Sequence, residues 1–252
     1  MRLTTKAFPK GSETWPVATE PVEFDGQKVG QHVFIEPPQG ERIHVGQVST
    51  DYALMPNTEA TNTISSLIEK AGFTENQYWG TIFNGRKFQT TIVVDEGFEP
   101  IPNDRLNVGF RLTNSYDGSS KLKIEAMLFR VLCSNGMISS QLFGSFGIFH
   151  KGDNMKDFSV LSERLIHTFH NIEGHMEKIK EMESDKFNWK KFIPLTEGIN
   201  NQFTGKMVHQ LNKTSPSNMW EAFNNVTEML NDPKSYGDIN TLDSFTTNAL
   251  IA

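Results

Sequence analysis

Apolar residues in this chain alternate with polar ones in several runs between Val45 and His150, with only short alternating pieces before them, then recur every third or fourth position from Asp157 onward. That change of period is the strongest constraint on the fold, because strands expose every second residue to one face and helices every third or fourth. It predicts antiparallel β structure first and a helical C-terminal third, an α+β chain. One early helix interrupts the β region: Ile64, Leu67 and Ile68 are helically spaced within Thr58 to Ala71, Asn57 or Thr58 is placed to cap it, and Gly72 sits where a C-cap belongs.

The best hairpin signal is Asn84-Gly85 between the β-rich runs 78–83 and 86–94, which suits a two-residue turn with positive φ at both positions. Pairing through it puts Trp79, Phe83, Phe88 and Ile92 on one face, and Ile82, Lys87, Gln89 and Thr91 on the other. A longer hairpin follows: Leu106, Val108, Phe110 and Leu112 alternate with polar residues, Asn114 to Ser120 is a loop, and Lys121 to Leu132 returns. A third strand-like run, Met137 to His150, carries Phe143, Phe146 and Phe149.

From Asp157 the residues Phe158, Leu161, Leu165, Phe169, Ile172, Met176, Ile179 and Met182 form one apolar stripe. Further helix is expected around Phe203, Met207, Val208 and Leu211, and around Trp220, Phe223, Val226 and Leu230; the polar stretch from Pro233 to Ala252 reads as a mobile tail. Three regions result: an N-terminal arm or loose hairpin over 1–45, an α+β core over 46–185, and a helical region with its tail over 186–252.

The 252 residues carry a formal net charge of -6, which argues against a general nucleic-acid binder. The charge is uneven: 105–156 sums to +4, while 1–50, 51–104 and 157–252 sum to -1, -5 and -4. A local basic stripe governs attraction of a polyanion more than the total does. No stretch approaches the roughly 20 apolar residues of a membrane span, Met1 to Lys6 does not lead into a secretory apolar region, and the single Cys133 excludes a disulfide framework. A cytoplasmic protein, host cytoplasm if phage-encoded, is expected.

The most distinctive local chemistry is Asn114-Ser115-Tyr116-Asp117-Gly118-Ser119, followed by Arg130-Val131-Leu132-Cys133-Ser134-Asn135-Gly136. The first run is a loop whose Asn, Ser and Asp side chains can bond their own backbone; it either closes a hairpin or presents its polar groups to a ligand. Asn114-Ser-x-Asp-Gly-Ser119, Arg130-x-x-Cys133-Ser134-Asn135 and His150 before a long helix resemble a phage- and plasmid-borne family catalogued as a domain of unknown function. Gly46-x-Val48-Ser49, Tyr52 and Pro56-Asn57 resemble that family's opening strand. The resemblance covers about 46–185, departs at Gly136 and Lys151, where Thr is expected, and implies origin in a mobile element but no activity. In outline, a helix beside a hairpin sheet followed by helices is similar to the RecT, Redβ and Erf type of single-strand annealing proteins.

Catalytic arrangements are sparse. His167, His170 and His175 with Glu163 and Glu173 could hold a metal but read as a solvated helix face; Cys133 reads as a buried small residue; Asp117, Asp153 and Asp157 share no fixed geometry. Phosphate-loop, dinucleotide-binding, nucleophile-elbow and zinc-protease motifs are absent. A non-enzymatic protein without cofactor or metal is therefore expected. The hairpins instead offer Arg86, Lys87, Arg111, Lys121, Lys123 and Lys151 for phosphates, with Tyr78 and Tyr116 as stacking platforms. Arg130 belongs either to this set or to a buried pair with Asp117 or Glu125. These features lead to an expected homo-oligomeric single-stranded DNA-binding protein that promotes annealing and recombination. The alternative is an acidic, DNA-imitating module that inhibits a host defence or restriction complex, with a host protein as partner.

Overall fold

The computed structural model describes residues 8–73, 76–130, 135–138, 145–152, 157–160, 162–163, 173–231 and 239–251. Among them no helix is long and apolar enough to cross a membrane. The chain is α+β, with antiparallel strand pairing, one early helix and a helical C-terminal region. It divides into two compact units. One comprises Met1–Ile92, Arg111–Ile124 and Phe146–Ile166, the other Val93–Phe110, Glu125–Ser145 and His167–Ala252.

In the first unit, β1 (Val17–Phe24), β2 (Gln27–Ile35) and β3 (Ile43–Val48) form a three-stranded antiparallel sheet in that order. The expected loose N-terminal hairpin is corrected here. It is a hairpin, but Val33 and Ile35 are fully buried with Val45 and Tyr116, and Trp15, Val17, Leu54 and Phe83 pack around them. The short alternating run 31–35 is a strand with a buried face, diluted in sequence by Gln, Gly and Pro nearby.

Helix α1 (Asn57–Lys70) buries Ala60, Ile64, Leu67 and Ile68, and the chain leaves it through Gly72 at φ +94°. Its cap differs from expectation. Pro56 occupies the N-cap position and no side chain caps the helix; the Asn57 Oδ1 that could accept from the first-turn N–H groups instead accepts from Asn114 Nδ2.

Strands β4 (Asn76–Phe83), β5 (Lys87–Ile101), β6 (Asp104–Ser115), β7 (Leu122–Arg130) and β8 (Asn135–Ile138) pair in sequence order, and β9 (Ser145–Ile148) also pairs with β7. The Asn84-Gly85 signal does mark a tight turn, but the turn is shifted by one residue. Asn84 N–H donates to the Lys87 carbonyl, so Gly85 (φ +83°) and Arg86 are the central pair. Asn84 stays out of the left-handed region because its Oδ1 accepts from the backbone N–H groups of Arg86 and Lys87. Gly85 is further required by packing: a Cβ there would lie 2.2 Å from the Phe8 ring.

The second unit holds α2 (Glu173–Ser184), α3 (Trp189–Phe192), α4 (Asn201–Thr214), α5 (Met219–Asn231) and α6 (Ile239–Ile251). Of the predicted stripe, Phe158, Met176, Ile179 and Met182 are buried; Leu161, Leu165, Phe169 and Ile172 lie outside the described residues, as do Phe143 and the rest of 139–144. The expected polar tail is corrected to helix α6. Leu242, Phe245, Ala249 and Leu250 are buried at spacings of three, four and one, and Phe245 stacks on Phe223 with centroids 5.5 Å apart. Intervening Thr, Ser and Asn residues hid that period.

Asp104 knits this unit together. Its carboxylate accepts from Arg130 Nε (2.6 Å) and Nη2 (2.8 Å) and from the Trp220 indole N–H (2.7 Å). Arg130 is therefore paired, and Asp104, which was not among its expected partners, is the carboxylate that holds it.

Candidate functional site

The loop between β6 and β7 is built from its own side chains and anchored at its base. Asn114, 0% exposed, donates from Nδ2 to the Met55 carbonyl and to Asn57 Oδ1, both at 2.8 Å, while its Oδ1 accepts from Ser115 N–H. Ser115 Oγ donates to the Ser120 carbonyl and accepts from Ser120 N–H, closing the loop neck. Asp117 Oδ1 accepts from the Ser119 N–H and hydroxyl, folding the tip over Gly118 at φ +71°. The loop is thus a self-closed hairpin connection whose first half is buried and whose second half is at the surface.

Two segments far away in sequence meet this tip. Gly46 of β3 lies so close that a Cβ would sit 2.8 Å from Asp117 Cβ. The Tyr52 hydroxyl donates to the Ser115 carbonyl at 2.6 Å, and its ring stacks on His150 at 4.9 Å with an interplanar angle of 18°. Burial drives the Tyr52 and Tyr116 phenols above their ordinary range. Ala53 N–H donates to the His150 carbonyl, and His150 Nδ1 lies 3.2 Å from the Ala53 carbonyl. A carbonyl oxygen only accepts, so Nδ1 carries the proton and Nε2 presents a lone pair in the neutral ring. Burial lowers the His150 pKa, which favours that neutral ring.

Together these residues line an open cleft of about 420 Å³, comprising Val48, Ser49 and Tyr52, the run from Asp117 to Lys121, and Phe149, His150 and Lys151. Phe149 is 59% exposed, and the Lys121 ammonium stands 4.1 Å above its ring centroid. Lys151 Nζ lies 3.6 Å from Asp51, whose carboxylate is held below its ordinary pKa chiefly by the Ser49 hydroxyl.

The sequence-predicted binding residues separate into groups. Lys121 and Lys151 line the cleft, and Lys123 is half-buried on β7. Arg86 and Lys87 are exposed at the β4–β5 tip, where the Arg86 carbonyl accepts from Tyr116 N–H. Arg111 is 7% exposed, so it is corrected from surface contact to interior residue. Tyr116 is 1% exposed, with its hydroxyl accepting from Asn57 N–H at 2.9 Å; it braces α1 and offers no stacking face. Arg130 is committed to Asp104. Phe149 is an exposed aromatic at the cleft that was not among the expected binding residues, because Phe within an alternating run reads as core. Its signal was its place at the end of the run, two residues before Lys151.

Cys133, Asp153, His167 and His170 lie outside the described residues, and Asn135 pairs in register with Arg130 through β8. Among the described residues no three His, Cys, Asp or Glu side chains gather as metal ligands.

The fold and site thus define an α+β protein with a lysine- and hydroxyl-lined surface cleft. The chain belongs to the family described as domain of unknown function (DUF932), whose profile matches residues 44–244. That match extends past the 46–185 read from sequence and takes in α3, α4 and α5. No solved structure matches the chain.

Proposed function

We propose that this protein binds single-stranded DNA through the cleft face that carries Lys121, Phe149 and Lys151, and that as a homo-oligomer it promotes annealing in recombination. The phage-type origin and the likeness to RecT, Redβ and Erf proteins belong to the same proposal. The observation that carries it is the exposed Phe149 ring with a lysine ammonium over its face. A nucleobase can take the ammonium's place on the ring while Lys121 turns to a neighbouring phosphate, the pairing of stacking platform and cation that sequence-independent strand binding uses. Duplex DNA keeps its bases stacked inside and offers no free base face to Phe149.

The test is binding to a labelled single-stranded oligonucleotide and to its duplex across a salt series, with oligomer mass and annealing of complementary strands recorded alongside. Preference for the single strand, weakening as salt rises, is expected, and charge reversal at Lys121 and Lys123 should lower both affinity and salt slope. Absence of binding at low salt overturns the reading and turns the search to host proteins suited to an acidic surface.

A further inference from the structure

Among the described residues, two polar atoms of the cleft residues have no hydrogen-bond partner. His150 Nε2 and Ser120 Oγ are both buried and unpaired, although His150, 4% exposed, is otherwise fixed by the Tyr52 stack and the Ala53 carbonyl. A buried polar group left unpaired costs about 1–3 kcal/mol, and two of them in residues lining one cleft indicate a ligand that supplies the missing bonds.

The charged and titratable groups around His150 narrow the chemistry. Tyr52 covers one ring face; Asp117, Lys121 and Lys151 line the cleft, and Asp51 is the partner of Lys151. Two lysines, a hydroxyl donor and an imidazole able to take up a proton suit a small anion with several acceptor oxygens. Only the end of a chain molecule reaches a group as buried as His150, since a continuous strand would have to leave the recess in both directions.

We propose that the cleft takes a phosphomonoester, the 5′-phosphate of a strand or a free nucleotide, with Ser120 and a protonated His150 as donors and Lys121 and Lys151 as counter-charges. This rests on the strand-binding reading of the same cleft and adds a terminal specificity to it. Binding converts Nε2 from acceptor to donor, so each occupied site takes up close to one proton at pH values between the free-state and the bound-state pKa of His150.

The experiment titrates the full-length protein with sulfate, which stays a dianion from pH 5.5 to 8.5, with inorganic phosphate, with a nucleoside 5′-monophosphate, and with one oligonucleotide bearing either a 5′-phosphate or a 5′-hydroxyl. Calorimetry in buffers of different ionisation enthalpy counts the protons. Expected are sulfate binding that weakens up to tenfold per pH unit between the free and bound pKa values of His150, uptake approaching one proton, and tighter binding of the 5′-phosphorylated strand. Mononucleotide bound as tightly as the phosphorylated strand assigns the cleft to free nucleotides. Ser120→Ala, which removes only a hydroxyl, should weaken phosphate several-fold without lowering thermal stability. No binding of sulfate or phosphate, binding without proton uptake, or equal affinity for the two strand ends with Ser120→Ala silent overturns the proposal. In the last case strand binding itself survives, whereas monoester capture with no affinity for either strand would overturn strand binding and leave the anion site.

Discussion

Replacing Asn114 by Ala separates scaffold from surface within the loop signature. The side chain is fully buried and makes three hydrogen bonds, to the Met55 carbonyl, Asn57 Oδ1 and Ser115 N–H. Removing it leaves two buried backbone groups and one buried amide oxygen unpaired. At about 1–3 kcal/mol for each, and with some relief by entering water, the loss is about 3–5 kcal/mol. Against a total stability of about 5–15 kcal/mol that is a large fraction. For a chain of this size it lowers Tm by about 6 °C or more. Thermal and denaturant unfolding, followed by two probes because the chain has two compact units, measure it. Ser119→Ala removes only an exposed hydroxyl bonded to Asp117 and should cost under about 0.5 kcal/mol. An Asn114→Ala midpoint within about 1 kcal/mol of the parent, or equal losses for the two variants, would refute the division into buried brace and surface tip.

Phe149→Ala should weaken single-strand binding by about 1–3 kcal/mol if a base stacks there, with Tm unchanged because the ring is mostly exposed; unchanged affinity in a fluorescence titration removes Phe149 from the interface. Asp104→Ala strands the Arg130 guanidinium and the Trp220 indole N–H and should cost about 3–5 kcal/mol by denaturant melts; a neutral result would mean that the network is not maintained in solution. His150 is buried with its pKa lowered by burial, and half-buried His175 shifts the same way. The unfolded imidazole titrates near about 6.5, so below that pH the unfolded state binds more protons and stability falls until the depressed folded pKa is passed. His150→Asn should therefore flatten the stability profile between pH 6.5 and the folded pKa, as checked by melts across that range, and an unaltered slope would contradict the burial assignment.

The fold was legible where one face of an element decides it. Alternation and the shift to a 3.6 period marked the hairpins and the C-terminal helices, and Asn84-Gly85 marked a turn, although the Asn84 side chain bonding to Arg86 and Lys87 moved it by one residue. Legibility failed where a second face is covered by tertiary packing. Arg111 and Tyr116 fall on the polar side of an alternating strand or in a loop, yet both are interior, and no local pattern announces that. Helix α6 failed for the opposite reason: its four buried apolar positions sit among Thr, Asn and Ser.

The cleft shows why residue types were readable while roles were not. Phe149 and His150 are neighbours in the chain, and a strand-like alternation sends one outward and the other inward. The exposed member becomes a platform for Lys121, and the buried member is locked by a carbonyl 97 positions away in sequence. Ser49, Tyr52 and the Asp117–Ser120 tip reach the same place because Gly46 allows β3 to lie against Asp117. The signature residues thus divide by burial. Asn114, Ser115 and Tyr116 hold the loop base against the start of α1, and Asp117 to Lys121 face the cleft opposite His150. A ligand that bridges the orphaned His150 Nε2 and Ser120 Oγ would tie the β6–β7 loop to the segment after β9, so occupancy should stabilise the first unit in proportion to its affinity.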